Sequence, residues 1–206
     1  MVESDLRASS GPDTPAGYRE GYEPVRARSW LEYLPGEVGL FIGTTGLFGG
    51  LTTLVRDGTA VLGVFWNVLR LESVGVYLLL LATVGATLVA HEALHGLAGH
   101  FSGCAVSFQR EGMGVGTRLR GGFLTRRAEA LVTLAPLVML TVVGVPLLVM
   151  VESAVAAAVV LTLLVTNAAG VGSDLADVLA LRELPPGTLL YYAEEGQFAY
   201  EPTTAG

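Results

Sequence analysis

Apolar residues gather in four runs that contain no charged side chain, spanning 38–55, 73–90, 130–151 and 153–173. None shows the one-sided apolar stripe of a helix lying on a soluble core. They are greasy all round, and a bilayer's hydrocarbon core takes about 20 such residues per helix. The pattern predicts four transmembrane helices. A shorter apolar piece, 59–71, predicts a re-entrant or interfacial helix, or a bent continuation of the first span.

Between and beyond these runs the texture changes. Residues 1–37 are polar, rich in Gly and Pro, and carry both charge signs; they read as a mobile arm with a short helix near 30–34, and not as a cleavable signal. The 101–127 link holds "CAVSFQ" and "GVGTRL" about a Gly-rich turn, the pattern of a small β-hairpin. The tail, "TLLYYAEEGQFAYEPT", follows the helix-stopping "LPPG" and reads as two strands about a turn at 194–196. The expected fold is therefore an all-α integral membrane protein of about four transmembrane helices with small surface hairpins. Its parts are the arm (1–37), the membrane domain (38–182) and a cytoplasmic tail (183–206).

Composition sharpens this picture. Of 206 residues 51% are hydrophobic and only 15% charged, well below the roughly one quarter of a soluble chain. The formal net charge of -7 leaves no broad basic surface, so nucleic acid is not an expected partner. All twelve basic residues are Arg, a usage that fits either surroundings of concentrated salt or a GC-rich genome. Cys104 is the single cysteine, so no intramolecular disulfide staples the fold. Arg110, Arg118, Arg120, Arg126 and Arg127 crowd the link after the second run, whereas the turn between the third and fourth carries only Glu152. By the positive-inside bias that link lies in the cytoplasm, and with four spans both termini do too. Arg56 and Arg70 then fall outside, against the trend. The glycines at 43, 46, 49, 50, 96 and 99 are expected to let helices approach closely in lipid.

The chemistry sits where the second run ends. His91-Glu92-Ala93-Leu94-His95 is an HExxH pattern, and four residues of α-helix advance roughly 400°, so both imidazoles leave one face and can share a metal. Zn²⁺ would acidify a water to a pKa of about 7, with Glu92 as the base that takes its proton. The plain alternative is a pair of interfacial anchors, but two imidazoles and a carboxylate are costly at this depth without a partner. A catalytic zinc needs a third protein ligand. His100 lies roughly 140° round the helix from His95 and points away; Cys104 is weaker still. Asp174 directly follows the fourth run, as His91 directly follows the second, and parallel helices put them at one depth. A carboxylate near a helix C-terminus also opposes the dipole, which a cation would explain. Asp177 is the reserve ligand or a supporting partner, and two solvated acids remain the plain reading. Asn167 could stabilise an oxyanion or simply tie two helices together. Pro136 stands near the same depth and either opens its helix or merely kinks it.

Taken together, His91-Glu92-x-x-His95, "LAPLV" at 134–138, Asn167 and "SDL" at 173–175 resemble the short polytopic membrane proteins grouped as zincin peptidases, a domain-of-unknown-function family that is similar to the site-2 proteases. The resemblance covers roughly 74–200 and implies zinc on His91, His95 and Asp174 with Glu92 as catalytic base. The chain departs from the site-2 pattern in that Leu175, not Gly, follows Asp174, and it has no PDZ insertion. The expected function is a membrane-embedded zinc metalloprotease whose partners are lipid and a membrane-protein or peptide substrate. The alternatives are a metal-binding transporter component, a non-catalytic protease-like scaffold and a soluble bundle with a chance motif.

Overall fold

The structure, a computed structural model, describes residues 12–19, 30–111, 114–193 and 196–203. Helix α1 (Trp30–Val55) leads into the short α2 (Gly58–Leu69) and the long α3 (Val74–Phe101). Then come the strands β1 (Ala105–Glu111), β2 (Gly114–Arg120) and β3 (Phe123–Thr125), followed by helices α4 (Arg126–Met150), α5 (Ala154–Ala169) and α6 (Gly172–Ala180). Strands β4 (Leu189–Tyr192) and β5 (Gln197–Tyr200) close the order. Four stretches, Val38–Val55, Val74–Phe101, Arg126–Met150 and Ala154–Ala180, are long and apolar enough to cross a membrane.

Helix α5 is the centre of the bundle. Ala157, Ala158, Leu161, Leu164 and Ala168 are buried against α1, α3 and α4 together with Phe48, Leu80 and Leu148. The outward faces of the other long helices keep large apolar side chains uncovered, among them Ile42, Leu54, Leu81 and Val142. Short caps set the ends: Asp57 accepts from the Thr59 and Ala60 amides at the start of α2, Thr125 from Ala128 and Ser153 from Ala156. Arg56 donates to the Leu148 and Val149 carbonyls, the last turn of α4, where helical carbonyls lack partners. Arg70 lies 4.9 Å from the centre of the Trp66 ring and 3.7 Å from Glu72. Both arginines that oppose the charge bias thus have local structural employment.

Three expectations change. The fourth apolar run is interrupted: regular helix stops at Gly170 and Val171, and α6 resumes at Gly172, although Ala154–Ala180 as a whole is long and apolar enough for one passage. Helix α1 begins at Trp30, inside the stretch assigned to the arm; most of that arm lies outside the described residues, but Tyr18 pairs with Pro202 of the tail. The glycine reading also shifts. An added Cβ at Gly43, Gly46, Gly49 or Gly50 would meet nothing within 4 Å, whereas at Gly144 it would come within 2.6 Å of Leu164, so the close helix contact is α4 on α5.

The β structure follows the expected hairpins and adds a connection. Strands β1 and β2 pair antiparallel, with Phe108 opposite Thr117; the 112–113 turn lies outside the described residues. Strands β4 and β5 likewise pair, about a turn of which 194–195 are not described. Beyond that, β3 adds to β4 with Leu124 opposite Leu190, so link and tail form one three-stranded sheet, β3-β4-β5. The left-handed backbone at Gly121 (φ 66) and Gly122 (φ 75) turns the chain out of the hairpin and into that sheet.

Candidate metal centre

All three histidines stand on α3, but only two face inward. His91 is buried and His95 half-buried one turn later, while His100 is exposed and its ring neighbours Phe101. Asp174, in the first turn of α6, meets the pair: its Oδ2 is 3.2 Å from His91 Nε2 and 3.5 Å from His95 Nε2. The two Nε2 atoms are themselves 3.2 Å apart. Ligands of a tetrahedral zinc at about 2.0–2.1 Å stand about 3.3–3.4 Å from one another, so this triangle has the dimensions of one face of such a site. Asp177 is exposed, and neither it nor His100 nor Cys104 belongs to the group that could hold a metal ion.

The far side of each imidazole explains why the near sides converge. His91 Nδ1 is 3.0 Å from Asn167 Oδ1, and Asn167 in turn donates Nδ2–H to the Pro136 carbonyl, which fixes which way its amide faces. His91 therefore carries its proton on Nδ1. His95 Nδ1 is 3.1 Å from the Val132 carbonyl. That carbonyl is available because its helical partner would be the amide of residue 136, and Pro136 has none. A single proline on α4 thereby frees the acceptor that orients His95, and its own carbonyl anchors the asparagine that orients His91.

With both protons held on Nδ1, the two Nε2 lone pairs and the Asp174 oxygen point at each other with no hydrogen between them. Asp174 Oδ2 is buried and has no hydrogen-bond donor. With neutral imidazoles, three electron-rich atoms in contact repel unless a cation lies among them, so the donor set fits a divalent metal. Asn167, 1% exposed, spends its amide between α3 and α4, on His91 and on the Pro136 carbonyl. Glu92, next to the first histidine, is half-buried. Its Oε2 accepts the Thr117 backbone N–H at 2.8 Å, and its backbone carbonyl accepts the Thr117 hydroxyl at 2.6 Å.

Hairpin β1–β2 can reach Glu92 because α3 has no side chain in its way. A Cβ at Gly96 would stand 3.0 Å from Phe108 and Val106, and one at Gly99 would overlap Leu119. These two glycines seat the hairpin, a closer role than helix packing. Sequence reasoning did not single out Thr117 or Val132, since neither a backbone amide nor a backbone carbonyl leaves a mark on the residue type. It also passed over Glu129, which is buried in the first turn of α4 and accepts from Gln197 Nε2 at 3.0 Å and from the Tyr192 hydroxyl. A carboxylate immediately before an uncharged run was the available signal. Burial and the neighbouring Glu129 carboxylate push the Tyr192 phenol well above its ordinary range, so it stays a donor.

No curated protein and no solved structure matches the chain. The family model described as "Putative zincin peptidase" matches residues 84–189, just over half of the sequence and the whole span from the histidines through Asp174, and the chain belongs to that family.

Proposed function

We propose that this protein is a membrane-embedded zinc metallopeptidase that cleaves peptide bonds in or near the bilayer, at the cytoplasmic end of its helices. The observation that carries the reading is the convergence of His91 Nε2, His95 Nε2 and Asp174 Oδ2 within 3.5 Å of one another, beside the glutamate of an HExxH pattern. Zinc bound there would supply Lewis acidity toward a peptide carbonyl and a water. Glu92 is the base: it takes a proton from the attacking water and returns it to the leaving nitrogen. Thr117 holds Oε2 of that carboxylate and leaves Oε1 for the reaction. Asn167 and the Val132 carbonyl keep both imidazoles in the tautomer that offers Nε2.

The bilayer part of the proposal is supported by the four apolar helices and the arginine-rich link, with Arg56 and Arg70 accounted for by their local partners. A likeness to site-2 proteases belongs to the same proposal, as does a membrane-protein or peptide substrate. The test compares Glu92→Gln with His91→Ala in detergent-purified protein. Zinc should be stoichiometric in wild type and in Glu92→Gln but lost from His91→Ala, and both variants should fail to cleave a membrane-protein substrate, Glu92→Gln by a factor of about 10² to 10⁴. A protein that holds zinc and whose cleavage ignores Glu92 is the non-catalytic scaffold instead.

A further inference from the structure

A cavity of about 810 Å³ away from the metal centre opens where α4 begins and α6 ends, and Arg126, Arg127 and Arg182 are among the residues that line it. Among the described residues no carboxylate lines it. Arg126 is held in place by donating to the Leu184 carbonyl at 2.6 Å, which leaves the rest of its guanidinium unspent. Arg127 and Arg182 are exposed and, among the described residues, have no side-chain partner. In a chain of net charge -7, three guanidinium groups around one cavity with no carboxylate among its described lining residues are a concentrated local exception.

The cavity has two levels. Arg126 opens one membrane-length stretch, and Ala130 lies one helical turn deeper; Arg182 follows another, and Val178 lies one turn deeper. Arg126 and Arg182 therefore each stand a turn outside an aliphatic residue at the mouth of an apolar helix. A free inorganic anion would use only the outer level. A phosphodiester with acyl chains uses both: its phosphate matches the planar guanidinium forks, and its glycerol and first methylenes lie on the aliphatic floor.

We infer that this cavity is a binding site for the headgroup of an anionic phospholipid, held by Arg126, Arg127 and Arg182 between α4 and α6. Those helices bring the Val132 carbonyl and Asp174 to the metal centre, so the lipid grips the pair one end away from the site they build. The inference rests on the bilayer reading proposed above. Flotation with vesicles of pure phosphatidylcholine tests that reading alone, and a protein that floats there but shows no anionic preference refutes only the lipid site.

The decisive experiment titrates the detergent-purified full chain with short-chain phosphatidylglycerol or phosphatidylcholine and follows thermal unfolding and retained lipid. Phosphatidylglycerol should raise the unfolding temperature, and phosphatidylcholine should not. Arg127→Gln and Arg182→Gln, both at exposed positions, should each weaken phosphatidylglycerol binding by roughly fivefold to tenfold. Arg118→Gln removes the same charge from the hairpin and should change nothing. Equal loss in Arg118→Gln would replace the site by general surface charge, equal response to phosphatidylcholine would remove the headgroup preference, and equal protection by millimolar inorganic phosphate would make it a free-phosphate site; each overturns the inference. Should Arg182→Gln unfold early without lipid, Arg127→Gln decides alone.

Discussion

Replacing Pro136 by alanine separates two effects that usually travel together. The new amide would reclaim the Val132 carbonyl for the helix, which favours α4 by up to about 3 kcal/mol, yet it would take from His95 the acceptor that fixes its tautomer. Pro136→Ala should therefore be at least as stable as wild type in the metal-free form while its zinc affinity falls about tenfold, measured by competition with a chromophoric chelator. Asn167→Leu, which leaves His91 Nδ1–H without an acceptor, should cost about 10- to 100-fold in the same assay, with Asn167→Asp recovering part of it. At this scale the sequence was most legible where side chains repeat at helical spacing, as in His91 and His95, and where depth could be counted, as for Asp174. It was silent where the contributing atom is a backbone one. Pro136 stood out by its type, but that it liberates an acceptor for His95 depends on how α3 and α4 are rotated about their axes, which no single helix reports.

Among the elements, the hairpin and the break in the fourth apolar run matter most. Strand β2 reaches Glu92 only across bare helix at Gly96 and Gly99, so Gly99→Val should lift the hairpin from α3. The expected results are faster hydrogen exchange at the Thr117 amide and a clear loss of peptidase rate, with zinc retained because no ligand moves. The hairpin itself was legible from its alternating residues, as was that of the tail. The β3–β4 pairing that joins them was not, because Leu124 and Leu190 are brought opposite one another by the helices between them. The break at Gly170 and Val171 escaped notice for a different reason: the run stays apolar through it, and hydropathy follows composition while the turn follows backbone freedom. Restarting as α6 places Asp174 in a first turn, where the helix dipole favours its negative charge, whereas a continuous helix would have put it in a last turn.

At the level of the molecule, the metal centre is where four helical segments meet, α3 through the histidines, α4 through Val132 and Pro136, α5 through Asn167, and α6 through Asp174. Metal that binds only the assembled bundle adds to its stability by mass action. Stripping the protein with a chelator should lower its unfolding temperature by several degrees, and stoichiometric zinc should restore it. Asp174→Ala should show the lower temperature with or without zinc. The exposed Ile42, Leu54, Leu81 and Val142 carry a companion expectation, that the protein stays with membranes after high-salt and carbonate washes and is released by detergent.

The bridge between Tyr18 and Pro202 has a topological consequence of its own. Two residues that pair by backbone hydrogen bonds lie on one side of any barrier the chain threads, so the segments between them cross it an even number of times. Parity makes no use of arginine counts. Helices α3 and α4 and the α5–α6 pair supply three long apolar passages, and α2, with 12 residues, is too short to be another. If those three traverse a bilayer, α1 must traverse it too, and a tag placed before Tyr18 and one placed after Pro202 must answer to protease from the same face.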